Sequence, residues 1–129
     1  MQRSESQYPA DWLRVAEKDW SRAEYLLESD DPEAAGFFLQ QAIEKFLKAF
    51  LLSHGLKLRR THDLEALLNE AIEYDASLEI FRSDCQRITG FYLIERYPLS
   101  TETAITAIDI RESIERAQAL VDKLRKSTG

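Results

Sequence analysis

AGFFLQQAIEKFLKAFLLSHG, residues 35–55, repeats its apolar side chains at intervals of three and four. That interval is the turn of an α-helix and not the alternation of a strand. Ala35, Phe38, Leu39, Ala42, Ile43, Phe46 and Phe50 form one face, and Gln41, Lys45, Lys48 and Leu52 form a second. Just upstream, Asp31 is placed as an N-cap, Pro32 at the first helical position and Glu33 in the first turn, where the helix dipole favours an anion. Gly55 is placed to end the last turn. The pattern predicts a helix over about 32–54. Its apolar arc is wider than one neighbour needs, which suits a helix packed on several others or one at a dimer interface.

The same period extends in both directions. Leu13, Ala16, Trp20, Ala23 and Leu27 predict a first helix over about 10–29, and Leu64, Leu67, Leu68, Ala71 and Ile72 a short third one over about 63–75. A fourth is expected from about Leu78 to Glu95, and a fifth carries Ala107, Ile110, Ile114, Ala117, Val121 and Leu124. Between the second and third lies SHGLKLRRTHD, the longest polar connection, expected to be mobile, with Thr61 or His62 near the next N-cap. PLSTE offers Ser100 or Thr101 as the cap of the fifth. Short connections favour antiparallel neighbours, so the expected fold is all-α: an up-and-down four-helix bundle with an additional short helix. The 129 residues, 44% hydrophobic, suit one domain, with residues 1–8 and 126–129 expected to fray.

Composition narrows the chemistry. A net charge of −6 argues against coating nucleic acid through a global basic field, though a local basic patch is compatible with it. The one cysteine, Cys85, has no intramolecular disulfide partner, and two histidines are too few for a structural zinc site. The Glu-x-x-His pairs of a di-iron bundle and any Gly-rich phosphate loop are missing, so neither a metal nor another cofactor is expected. No window approaches the ~20 apolar residues of a membrane span, and the N-terminus lacks a signal core, so a cytoplasmic protein is expected.

Cations and aromatics remain. In ITGFYLIERYPLS, residues 88–100, Pro98 disfavours the helical conformation at Tyr97 and should stop the fourth helix there. Ile88, Tyr92 and Arg96 are four apart, so the inward face carries a guanidinium with it. A buried Arg96 either pairs with a carboxylate such as Glu44 or Glu95, or holds a ligand. With Tyr92 and Tyr97 beside it, it has the means to clamp a phosphate and stack a base. Lys45, Lys48 and Arg87 are further phosphate-binding candidates, the two lysines otherwise lying on a solvated face. His62 reads either as a capping or packing residue or as a proton-transfer group reaching Arg96 from another helix.

With those residues identified, the chain resembles the HEPN domain family (higher eukaryotes and prokaryotes nucleotide-binding). The likeness rests on AGFFLQQAIEKFLKAFLLSHG, on THDLEALLNEA, on GFYLIERYPLS and on the start YPADWLRVAEKDWSRAEYLL, in that spacing over nearly the whole chain. It implies a bundle that forms a homodimer and works in nucleotide or RNA chemistry. Many relatives stand beside a minimal nucleotidyltransferase, as a toxin–antitoxin pair or as its substrate-binding subunit. Others are metal-independent ribonucleases marked by an Arg followed four to six residues later by a His. Here Arg96, Tyr97 and Pro98 match, but YPLSTETAI follows Arg96, no histidine occurs after His62, and Arg87 does not complete the motif either. The expectation is a non-catalytic dimeric module that binds a nucleotide, an RNA phosphate or a nucleotidyltransferase. A diverged ribonuclease using Arg96 with His62 and a purely structural dimeric scaffold are the alternatives.

Overall fold

A computed structural model of the chain describes residues 5–96 and 105–128, without the side chains of residues 95 and 96. Five α-helices occupy Pro9–Glu28 (α1), Pro32–Ser53 (α2), Leu64–Ile72 (α3), Arg82–Arg96 (α4) and Ala107–Thr128 (α5). No strand occurs among the described residues. The bundle is up-and-down, with four long helices and the shorter α3.

Local chemistry explains the boundaries. Asp31 caps α2 by accepting from Ala34 N, and Pro32 stands at its first position. At the far end Gly55 adopts φ +84°, Leu56 N donates to Leu51 O and Gly55 N to Leu52 O, satisfying carbonyls the helix leaves open. The cap of α3 is Asp63, which accepts from Glu65 N at 3.0 Å and directly follows Thr61 and His62, the residues expected near it. Two expectations need correction. Residues 76–81 form a 3₁₀ turn ahead of α4, in which buried Leu78 and Phe81 are three apart, the period of that helix. The second concerns α5. It starts at a reciprocal box in which Thr106 N donates to Asp109 Oδ2 (3.0 Å) and Asp109 N to Thr106 Oγ1 (3.2 Å). Hydrogen bonds to it from the Thr106 N–H and from the Thr106 hydroxyl hold the Asp109 carboxyl below the usual carboxylate range. Ser100 and Thr101 lie outside the described residues. At the other end α5 continues to Thr128, whose hydroxyl donates to Leu124 O, where a frayed tail is expected from sequence.

α2 is the axle. Phe46, Phe50, Leu39, Ile43 and Leu47 are fully buried, and α2 touches each of the other four helices. Its broad apolar arc is therefore used within one chain. The Asp19–Lys45 ion pair and the Lys48 ammonium over the Trp12 ring set α1 antiparallel to α2. Ile110 beside Gly36 and the Arg125 guanidinium over the Phe46 ring set α5 parallel to it. α4 runs antiparallel to α5, joined by Arg116–Asp84 (3.8 Å) and Arg87–Asp109 (3.3 Å), and hence antiparallel to α2.

α2, α4 and α5 meet closely at Gly36. A Cβ there would stand 2.9 Å from Ile110 Cδ1 and 3.0 Å from Phe91 Cβ. Alanine gains about 0.5–1 kcal/mol of helix propensity, but overpacking typically costs about 1–3 kcal/mol. Gly36→Ala is expected to lower the urea midpoint with an unchanged slope. A midpoint equal to or above wild type would show that α4 and α5 yield without strain.

Candidate functional site

The inner stripe of α2 is not wholly apolar. Gln40, Glu44 and Lys48, four residues apart, line one side of the helix and are 0%, 3% and 6% exposed. Charges so placed must be paired, and these are. Glu44 Oε2 accepts from Lys48 Nζ at 3.0 Å. Glu44 Oε1 accepts from Gln40 Nε2 at 3.1 Å and lies 2.7 Å from His62 Nδ1. Gln40 Nε2 also donates to the His62 carbonyl at 2.8 Å, and Gln40 Oε1 accepts from Gln41 at 2.7 Å. The end of the connection expected to be mobile is thus fastened to α2. One turn away, Lys45 pairs with buried Asp19, which also accepts from Arg22 at 2.9 Å.

Because a carboxylate only accepts, the bond to Glu44 places a proton on His62 Nδ1 and orients the ring. No described group bonds its Nε2, and the side chain is half exposed. The imidazole stacks on Tyr92 (centroids 4.5 Å, planes 20° apart), and Tyr92 stacks on Phe37 (5.6 Å, 21°). On the other side of the Glu44 carboxylate, the Lys48 ammonium lies 5.5 Å from the centroid of the Trp12 ring. Trp12 is anchored in turn by its Nε1 donating to Ser6 O at 2.8 Å. Trp12, Lys48, Arg60, Thr61 and His62 line a pocket of about 360 Å³.

The structure brings Lys45, Lys48, His62 and Tyr92 into one connected region and leaves the other candidates elsewhere. Lys45 and Lys48 are not on a solvated face; both are held in ion pairs, and Lys48 is buried. Arg87 pairs with Asp109 on the α4–α5 side. The backbone of Arg96 closes α4, its side chain is not described, and Tyr97 and Pro98 lie outside the described residues. Antiparallel packing separates Arg96 from Lys48. Phe91 is level with Gly36, Lys48 lies twelve residues along α2 in one direction and Arg96 five along α4 in the other. At about 1.5 Å per residue they are roughly 25 Å apart along the bundle, too far to share one phosphate within a protomer. Glu44, offered by the sequence as a partner for Arg96, already has both oxygens engaged by Lys48, His62 and Gln40.

Sequence reasoning missed Trp12 and Gln40 as site residues. The four-residue spacing of Gln40, Glu44 and Lys48 was a legible signal of a polar stripe, but its burial was not. Among the described residues no three His, Cys, Asp or Glu converge as a metal site. Burial pushes the Cys85 thiol up to about 12, which makes it a poor nucleophile.

This arrangement of helices is a known one. The family model described as the HEPN domain matches residues 9–127, and the chain belongs to that family. The crystal structure of TT1696 from Thermus thermophilus superposes with a TM-score of 0.80 at 22% identity, covering 95% of this chain and 99% of that one. ST0689, described as an archaeal HEPN homologue, superposes with a TM-score of 0.75 at 24% identity, covering 95% and 98%. At such identities the two structures establish the shared fold. No helix among the described residues is long and apolar enough to cross a membrane.

Proposed function

We propose that the protein is a non-catalytic, cytoplasmic, single-domain HEPN module that acts as a homodimer. It binds a nucleotide or RNA phosphate at the C-terminal end of α4, or engages a partner nucleotidyltransferase through that surface. The observation that carries the reading is the ring column His62–Tyr92–Phe37, which crosses from the α2–α3 connection to α4 one turn before Arg96. Stacked rings on a helix that ends one turn later in an arginine suit a base and its phosphate. Membership of the family supports the dimer; the apolar arc of α2, filled within one chain, does not. If Arg96 holds a phosphate, Arg96→Lys keeps the charge but loses the planar fork, so affinity for nucleotides or RNA falls while the melting temperature hardly moves. Unchanged affinity would remove Arg96 from the site, and light scattering that finds only monomer would remove the dimer.

The Glu44–His62 pair favours a second reading, a metal-independent ribonuclease. A carboxylate-oriented imidazole with an open Nε2 is the form a general base takes. RNA cleavage by the wild type, lost in His62→Ala, would establish it over the binding reading.

A further inference from the structure

The charges of this acidic chain are sorted along its axle. Residues 23–44 carry Glu24, Glu28, Asp30, Asp31, Glu33 and Glu44 and no Lys or Arg, whereas residues 45–62 carry Lys45, Lys48, Lys57, Arg59 and Arg60 and no Asp or Glu. The start of α2 thus adjoins acidic residues at the α1–α2 turn, and cations gather along its second half and the connection that follows. That cationic region holds the pocket lined by Trp12, Lys48, Arg60 and His62.

Not all of these cations are available to a ligand. Arg59 is turned to Glu70 at 3.6 Å and Lys45 to Asp19. Arg60, next in the chain, is exposed at the pocket and no carboxylate among the described residues pairs with it. Lys48 gives one proton to Glu44 and has two more, beside the Trp12 ring. A guanidinium, a partly committed ammonium and an indole around one concavity supply anchors for a phosphate and a stacking surface for a planar ring. About 360 Å³ falls at the small end of the ~300–1,000 Å³ range of ligand pockets, room for one nucleotide and not for two.

We propose that the Trp12–Lys48–Arg60 pocket is a nucleoside-monophosphate subsite, separate from Arg96, in which the base lies against Trp12 and the phosphate is held by Arg60 and Lys48. The same chemistry is offered by a free mononucleotide and by the 5′-phosphorylated end of an RNA. Glu5 and Glu44, which also line the pocket, oppose the anion and limit affinity.

Of the two tryptophans, Trp20 is buried in the core, so quenching of intrinsic fluorescence reports on Trp12. The full-length protein is titrated with AMP, GMP, UMP and CMP, and with a tetraribonucleotide bearing either a 5′-phosphate or a 5′-hydroxyl. Saturable quenching is expected with purine monophosphates. Arg60→Ala should weaken it about tenfold or more without moving the melting temperature, because no described carboxylate would be stranded by its loss. Arg59→Ala should change it less than about twofold and Glu5→Gln should tighten it a few-fold, an effect that shrinks with salt. Trp12→Leu should lose the quench; calorimetry then checks that binding itself falls. Tighter binding of free monophosphates assigns the pocket to a soluble nucleotide, and of the 5′-phosphorylated oligomer to an RNA end. The assignment is overturned by equal affinity in Arg60→Ala, by loss of quenching in Arg96→Ala with Arg60→Ala unaffected, or by no quenching with any ligand. RNA binding that depends on Arg96 alone would overturn the pocket and leave the module reading standing.

Discussion

Glu44→Ala is expected to cost about 3–5 kcal/mol of folding stability, because it strips the partner from a charge the bundle keeps out of water. Lys48 is 6% exposed and its ammonium is paired with Glu44 Oε2. The same truncation leaves Gln40 with one acceptor fewer and frees His62, so the end of the α2–α3 connection loses one of its two ties to α2. Urea unfolding should show a lower midpoint, and amide exchange should rise over residues 59–63. The diagnostic comparison is Glu44→Leu combined with Lys48→Met. Replacing both charges with apolar groups of similar size removes the stranded ion, so the double variant should recover most of the loss. A double variant as unstable as the single one would show that the ion pair itself, and not the avoidance of an orphaned charge, holds the site together.

Phe46→Ala should be as damaging, by about 3–5 kcal/mol, for a different reason. Phe46 is fully buried at the middle of α2, and Arg125 of α5 lies over its ring at 5.4 Å. Arg125 is itself locked to Glu17 of α1, with Nε to Oε2 at 2.7 Å. One ring therefore joins three helices, and deleting it leaves a cavity roofed by a guanidinium. Phe46→Leu, which fills much of that volume, is expected to lose clearly less. Thermal melts of the two variants test this, and equal losses would point to the cation–ring contact over the cavity as the main term.

Much of the fold was legible because helix formation is local. The three-and-four spacing of apolar residues, Pro32 behind Asp31, and Gly55 past the last turn of α2 each act within a few residues of where they stand, and each does in the structure what its chemistry dictates. The misplaced boundaries were local too. Thr106 and Asp109 form a capping box that a search for the first Ser or Thr after Pro98 passes over, and the three-residue interval of Leu78 and Phe81 fits a 3₁₀ turn as well as an α-helix.

The site was legible only in parts. Lys48, His62 and Tyr92 stood out as cations and rings among apolar neighbours, and they do meet the same polar cluster. What the sequence determined by itself was the set of helices, their inward faces and the sorting of charge along α2. The tertiary structure decided which inward groups share a neighbourhood. Asp19 reaches Lys45, Glu44 reaches His62 and Trp12 reaches Lys48 across gaps in the chain that no local period spans. Their meeting depends on the direction and axial register of packed helices. The same register places Arg96 at the opposite end of the axle from Lys48, because α4 runs against α2, and a helix carries each side chain about 1.5 Å further along its axis with every residue.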